Sequence, residues 1–167
     1  MPTSLSPTII GPADGESVTL QTIGVRFMIP GADTGTRFSL VEHPMPPRGL
    51  AAPLHRHNRE DEYSFVLEGR MGALLGGDVV EAGPGDLVYK PRGQWHTFWN
   101  AGDEPCRILE IISPGGFEHV FEEMAEDPET MTGEAALALD ARYGIEADYE
   151  SMERLCEEHG LDFPVEG

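Results

Sequence analysis

From residue 17 to residue 113 the chain is cut into short apolar runs separated by glycine and proline clusters, so that each run makes a short strand. The runs are SVTLQTIGVRFMI, TRFSLVEH, EYSFVLEG, RMGALLGG, DLVYKPRG, HTFWN and CRILEII, and breakers such as PGADTG, AGPG and AGDEP lie between them. A short strand with one apolar face cannot bury that face alone, so a regular series of them has to close into a sandwich or barrel. After residue 113 the apolar spacing lengthens to three and four. Phe117, Val120, Phe121 and Met124 form one stripe, and Met152, Leu155, Cys156 and His159 form another, with Gly160 placed to end it. Both have helical spacing. Asp127-Pro128-Glu129 carries the cap, first-turn proline and first-turn acid of a further helix, and GEAALALDARYG continues it or forms a third. The expectation is one domain with an all-β core: residues 1–113 form the barrel and its N-terminal strands, and residues 114–167 are a C-terminal α-helical extension of it. The helical stripes should pack on the barrel or on a partner subunit.

Charge narrows the choice of partners. The 167 residues include 30 Asp and Glu against 11 Lys and Arg, a formal charge of −19. Such a field repels phosphate backbones and anionic bilayers, so nucleic acid and membrane surfaces are excluded as partners. MPTSLSPTIIGP lacks a basic region followed by an apolar run of signal-peptide length, and no stretch approaches the ~20 apolar residues of a span, which points to the cytoplasm. Cys106 and Cys156 are too few and too far apart for a disulfide framework and are expected to be reduced.

The segment PLHRHNREDEYSFVLEG holds the candidate chemistry. His55 and His57 are two apart, so on an extended segment both rings point the same way. From Glu62 onward the strand alternates, with Tyr63, Phe65 and Leu67 on one face and Glu62, Ser64 and Val66 on the other. NRED can turn the chain so that Glu62 joins the two imidazoles. Glu60 and Asp61 compete with it, but only Glu62 shares the Ser64 and Val66 face. Two neutral imidazoles and a carboxylate suit Fe, Mn, Co, Ni, Cu or Zn, and His96 in GQWHTFWN offers a third ring. Phe98 shares the His96 face and, with Ser64 and Val66, is a candidate for the pocket wall. His43, His119 and His159 have no partner at ligand spacing and read as packing or surface residues. Trp95 and Trp99 also read as packing, and Arg26 and Arg37 as rim residues pairing with acids.

Two longer patterns carry a family resemblance. Gly49, five residues, His55, one, His57, four, Glu62, six, Gly69 matches the first cupin motif. Gly85, five, Pro91, one, Gly93, two, His96, three, Asn100 matches the second. The chain therefore resembles the cupin superfamily over roughly residues 36 to 112. The resemblance implies a double-stranded β-helix, a small jelly-roll-like barrel, with the positions of His55, His57, Glu62 and His96 holding one divalent metal in its mouth. SPGGFEHVFEEMAED is similar to the small cupins grouped with quercetinase-type dioxygenases. That similarity implies a metal-dependent oxidoreductase acting on an enol- or phenol-type small molecule, with Glu62 as ligand and base. A non-redox isomerase, epimerase or cyclase and a non-catalytic binding protein are the alternatives. Open sheet edges and spare apolar stripes also lead to the expectation of a homodimer.

Overall fold

The computed structural model describes residues 8–163, and the Gly and Pro breakers separate eleven antiparallel strands in it. They are β1 (Ser17–Leu20), β2 (Ile23–Ile29), β3 (Ser39–Met45), β4 (Leu54–His57), β5 (Asp61–Glu68), β6 (Met71–Leu75), β7 (Asp78–Ala82), β8 (Leu87–Lys90), β9 (His96–Asn100), β10 (Cys106–Ser113) and β11 (Ile145–Asp148). One sheet has the order β1-β2-β3-β10-β5-β8, and the other β11-β4-β9-β6-β7. The two enclose the interior of a β-barrel, as the resemblance implies. Gly76 and Gly77, at φ 57° and 103°, make the two-residue turn between β6 and β7, where a primed hairpin needs positive φ at both positions.

Period-2 burial defines the barrel's inside. Cys106, Ile108, Glu110 and Ile112 point inward from β10, Glu62, Ser64 and Val66 from β5, and Val88 and Lys90 from β8. β9 breaks the alternation because all five of its residues are buried. His96 and Phe98 face the barrel, while Trp99 on the other face packs with Leu50, Leu155 and Leu161. Asn100 is a structural lock: its Nδ2 donates to the Pro46 and Glu104 carbonyls at 3.0 and 2.8 Å.

Some elements differ from the sequence expectation. SVTLQTIGVRFMI is a hairpin rather than one strand, turning at Gln21 with φ 52°. β7 went unrecognised because four of its five residues are exposed, which leaves no alternation to detect. β11 escaped too; it pairs with β4 and extends the second sheet. The helices are α1 (His119–Glu126), α2 (Gly133–Tyr143) and α3 (Ser151–His159). Asp127 does cap, accepting from the Glu129 N–H at 3.1 Å, but it starts only a 3-10 turn over Pro128–Met131. Thr132 is the cap position of α2, and Gly160 ends α3 at φ 62°.

The helical stripes are consumed within the chain. Val120 and Leu139 enter the barrel-side core, and Leu155 docks α3 behind β9. Exposed apolar side chains gather on the outer face of β5 and β8, where Phe65, Leu67, Leu87 and Tyr89 lie open and Tyr63 stacks on Tyr89 at 5.1 Å, while Val79, Val80 and Leu137 are exposed elsewhere. No helix among the described residues is long and apolar enough to cross a membrane.

The docking of α3 is testable by comparing two leucines. Leu155→Ala, at 1% exposure, is expected to lower unfolding free energy by about 2–4 kcal/mol, whereas Leu137→Ala, at 59%, should change it by less than about 0.5 kcal/mol. Equal effects in equilibrium denaturation would contradict the packing described.

Candidate metal centre

Three strands bring the four candidate ligands together. His55 and His57 project from the same face of β4, and the antiparallel register sets His55 opposite His96 of β9, with ring centroids 4.5 Å apart. One ligand nitrogen from each of His55, His57 and His96 lies within 4.8 Å of the other two, close enough for the three rings to converge on one ion with small side-chain adjustment. Glu62 of β5 completes the group: its Oε2 lies 3.4 Å from His57 Nε2 and 3.1 Å from His96 Nε2. Glu60 sits behind His57, 3.9 Å from Nδ1, and Asp61 turns outward to Arg92 at 2.9 Å.

The rings are held in a state suited to ligation. A carbonyl oxygen only accepts, so His55 Nδ1 donates to Pro53 O at 2.7 Å and His96 Nδ1 donates to Gln94 O at 3.1 Å. Each Nε2 is thereby left as a lone pair, the arrangement by which backbone groups orient metal-bound imidazoles. Burial, reinforced by the neighbouring His96 and His57, pushes the His55 pKa well below the usual histidine range and keeps its ring neutral. Both nitrogens of His57 and the Nε2 of His96 are buried without a hydrogen-bond partner among the described residues. Such orphaned atoms are rare unless something else satisfies them. Burial opposes a charge on His57, yet attraction to Glu62 outweighs it and raises the pKa. The same field favours any cation at this point, so the residues present fit a divalent metal.

Behind Glu62 lies a group that the sequence reading missed. Lys90, the only lysine in the chain, is fully buried, with its ammonium 2.9 Å from Glu110 and 3.3 Å from Glu62. Burial opposes the ammonium, but the attraction of Glu110 and Glu62 prevails and holds its pKa above the usual value. Burial likewise opposes the Glu62 carboxylate, but Lys90 and His57 outweigh it and hold that pKa well down. Glu110 accepts the Ser64 hydroxyl at 2.6 Å, and Lys90 Nζ lies 4.6 Å from the centre of the Phe98 ring. The available signal was a charged residue at an inward, period-2 position on each of two strands: Lys90 beside Val88, and Glu110 between Ile108 and Ile112.

Three of the four candidate ligands open onto a cavity of about 1090 Å³, which the buried His96 does not line. Phe98 lines it, as do His55, His57 and Glu62. Ser64 and Val66, 0% exposed, lie in the closed interior instead, Ser64 serving Glu110 and Val66 the core. The helical segment builds much of the remaining wall: Phe117 meets His57 edge-on at 4.6 Å, and Val120, Phe121, Met124 and Met131 follow. His43 also lines the cavity. Its Nδ1 donates to Gly24 O at 3.0 Å and burial lowers its pKa, so the ring is neutral with a free Nε2. Trp99 stacks on His159, Trp95 lies under Arg56, Arg26 pairs with Glu42 at 2.6 Å and Arg37 binds Thr34 O; none of these lines the cavity.

Comparison with known proteins agrees with this fold. Residues 42–112 match the cupin domain family. An uncharacterised protein of Methanocaldococcus jannaschii is 34% identical over 80 residues, 48% of this chain and 63% of that protein. The tetracenomycin polyketide synthase protein TcmJ of Streptomyces glaucescens is 26% identical over 89 residues, 53% of this chain and 60% of that one. The chain thus spans between about half and two thirds of the length of the curated relatives it matches. Among solved structures, the polyketide cyclase RemF from Streptomyces resistomycificus superposes at a TM-score of 0.54 with 31% identity, covering 65% of this chain and 80% of that one. Others superpose at 0.50 to 0.59 with 13 to 23% identity and share the fold.

The buried Lys90 pairs generate a stability prediction. Lys90→Met leaves two carboxylates facing each other in the interior and is expected to cost about 3–5 kcal/mol in metal-free protein. Adding Glu110→Leu should recover part of that loss, because it removes one of the stranded charges. A single variant within about 0.5 kcal/mol of wild type in urea denaturation would show that the ammonium does not balance the pair.

Proposed function

Because the chain belongs to the cupin superfamily, whose barrel serves many reactions, we propose its function from the site: a metal-dependent enzyme acting on an enolisable carbonyl compound of polyketide type. The observation that carries the proposal is the joining of an apolar cavity of about 1090 Å³ to a cluster of three histidines and one glutamate, of which His55, His57 and Glu62 line it. In this reading His55, His57, Glu62 and His96 hold one divalent transition metal (Fe, Mn, Ni, Co, Cu or Zn). When bound, the metal supplies a Lewis acid that polarises a substrate carbonyl. The chain's residues do the rest. Glu62 takes the proton released on enolisation, and Lys90 keeps Glu62 charged and in place. Free Nε2 on neutral His43 accepts a substrate hydroxyl, and Phe98, Phe117 and Phe121 exclude water and align a flat substrate for ring closure or loss of water. The names of RemF and TcmJ support a polyketide-type substrate for this site.

A dioxygenase acting on an enol or phenol is the second reading, favoured by a three-histidine, one-glutamate donor set that accepts redox metals as readily as zinc. Oxygen consumption separates the two. With a panel of flavonols, enols and diketones, the first reading expects substrate loss without oxygen uptake, and stoichiometric uptake would establish the second. Elemental analysis is expected to find about one metal per chain, and His57→Ala to lose most of it; unchanged content in that variant would contradict the ligand set. At equal metal loading, Glu62→Gln should lower turnover roughly 10²- to 10⁴-fold, and undiminished turnover would reduce Glu62 to a ligand.

We also propose a homodimer, now through the exposed outer face of β5 and β8 rather than the helical stripes. β8 ends its sheet, and Phe65, Leu67, Leu87 and Tyr89 lie open there. Light scattering should give about twice the 18.3 kDa chain mass, and Leu87→Arg should halve it. A wild-type mass of one chain at micromolar concentration would refute the dimer.

A further inference from the structure

Among the described residues, every Asp, Glu, Lys or Arg side chain that lines the cavity is acidic. Around its opening stand Glu150, Glu153, Glu157 and Asp162, all exposed and all lining it, with Asp140 further in beside Tyr149. Glu62 and Glu110 line its inner end. Among the described residues no lysine or arginine lines it, and residues 1–7 and 164–167 contain neither in sequence. Lys90 is sealed behind Glu62 and Glu110. Arg154, on the same helix as Glu153 and Glu157, turns away to Asp148 at 3.8 Å. Clefts lined by one sign of charge with apolar walls focus that field on whatever enters.

We infer that the substrate enters without a negative charge, and that the negative charge of the reacting enolate is created only at the buried end. This rests on the proposed enolisation. There the C–H bond breaks, its electron pair passes to the substrate oxygen and the proton passes to the Glu62 carboxylate. An uncharged molecule crosses the acidic mouth without repulsion and loses its hydration to Phe98, Phe117, Phe121, Val120 and Met124. A phosphate or carboxylate on the same molecule would have to pass or remain beside the mouth carboxylates with no guanidinium or ammonium to receive it. Like charges in that position weaken binding. The substrate class is therefore an aromatic or polyketone compound that carries no anionic group, and sugar phosphates, nucleotides, dicarboxylic acids and chains carried on a phosphate-bearing tether are disfavoured.

Three probes of one size test this: 2-acetylnaphthalene, 2-naphthoate and 2-naphthylmethylammonium, titrated calorimetrically into the protein as purified and again after chelation. In chelated protein at low salt, the ketone and the ammonium compound are expected to bind, and the naphthoate roughly tenfold more weakly or worse. The gap should narrow at about 0.5 M salt, where exposed charges are screened. It should also narrow in the double variant Glu153→Gln, Glu157→Gln, which alters only exposed helix positions and leaves the fold intact. Naphthoate binding as tightly as the ketone at low salt, a gap indifferent to salt and to the double variant, or no binding by any probe would each overturn the inference. Charge discrimination in a protein that purifies without metal would support this inference while the metal reading failed. Bound metal without discrimination would overturn this inference alone.

Discussion

The ion pairs of Lys90 with Glu62 and Glu110 are the constraint on which the rest of the site depends. An ammonium and two carboxylates inside a barrel of this size are stable only together, since each alone would carry a desolvation penalty of several kcal/mol. Together they hold a carboxylate in its charged form beneath three imidazoles, where it attracts a cation and can later receive a proton. The same pairs tie β8 to β5 and β10, so site and sheet support each other. Glu42 does a similar job on the outer face, gripped by Arg26 at 2.6 Å and Arg107 at 2.7 Å across β2, β3 and β10.

The second sheet supplies a different kind of rigidity. β9 is covered on both sides, by the barrel interior and by α3, so His96 is mounted on a strand that cannot shift without disturbing Trp99 and Leu155. β4 is clamped between β9 and β11, which fixes His55 and His57. The C-terminal segment thus does two things at once: β11 steadies the ligand strand, while α1 and the turn after it supply apolar wall. The cavity that results is greasy near the ligands and acidic at the mouth, an arrangement that selects by charge before shape comes into play.

What could be read from the sequence follows from what is local. Strand alternation alone put Glu62 on the inward face and Asp61 on the outward one, and the two-residue spacing of His55 and His57 set both rings in one direction. Those relations survive in the structure because they need no knowledge of strand neighbours. For Lys90 and Glu110 the local pattern gives an inward position but not their meeting, which is decided by β8 and β10 flanking β5, a long-range pairing that no local pattern encodes. His43 was discounted for lack of a partner at ligand spacing, yet β3 lies beside β10 and carries it into the cavity wall. Alternation turns Ser64 and Val66 inward as candidates for the pocket wall, but the buried interior they occupy is not the cavity, and depth along a barrel axis cannot be counted along one strand. β7 and β11 lacked any periodic burial to betray them.

The most direct test of the account is a crystal structure of protein loaded with a transition metal, with anomalous scattering recorded at the absorption edge of that metal. The account predicts one peak per chain within about 2.0–2.2 Å of the Nε2 atoms of His55, His57 and His96 and of a Glu62 oxygen, with Lys90 still bridging to Glu110. A peak located elsewhere, or no peak with Glu62 paired only to Lys90, would contradict it.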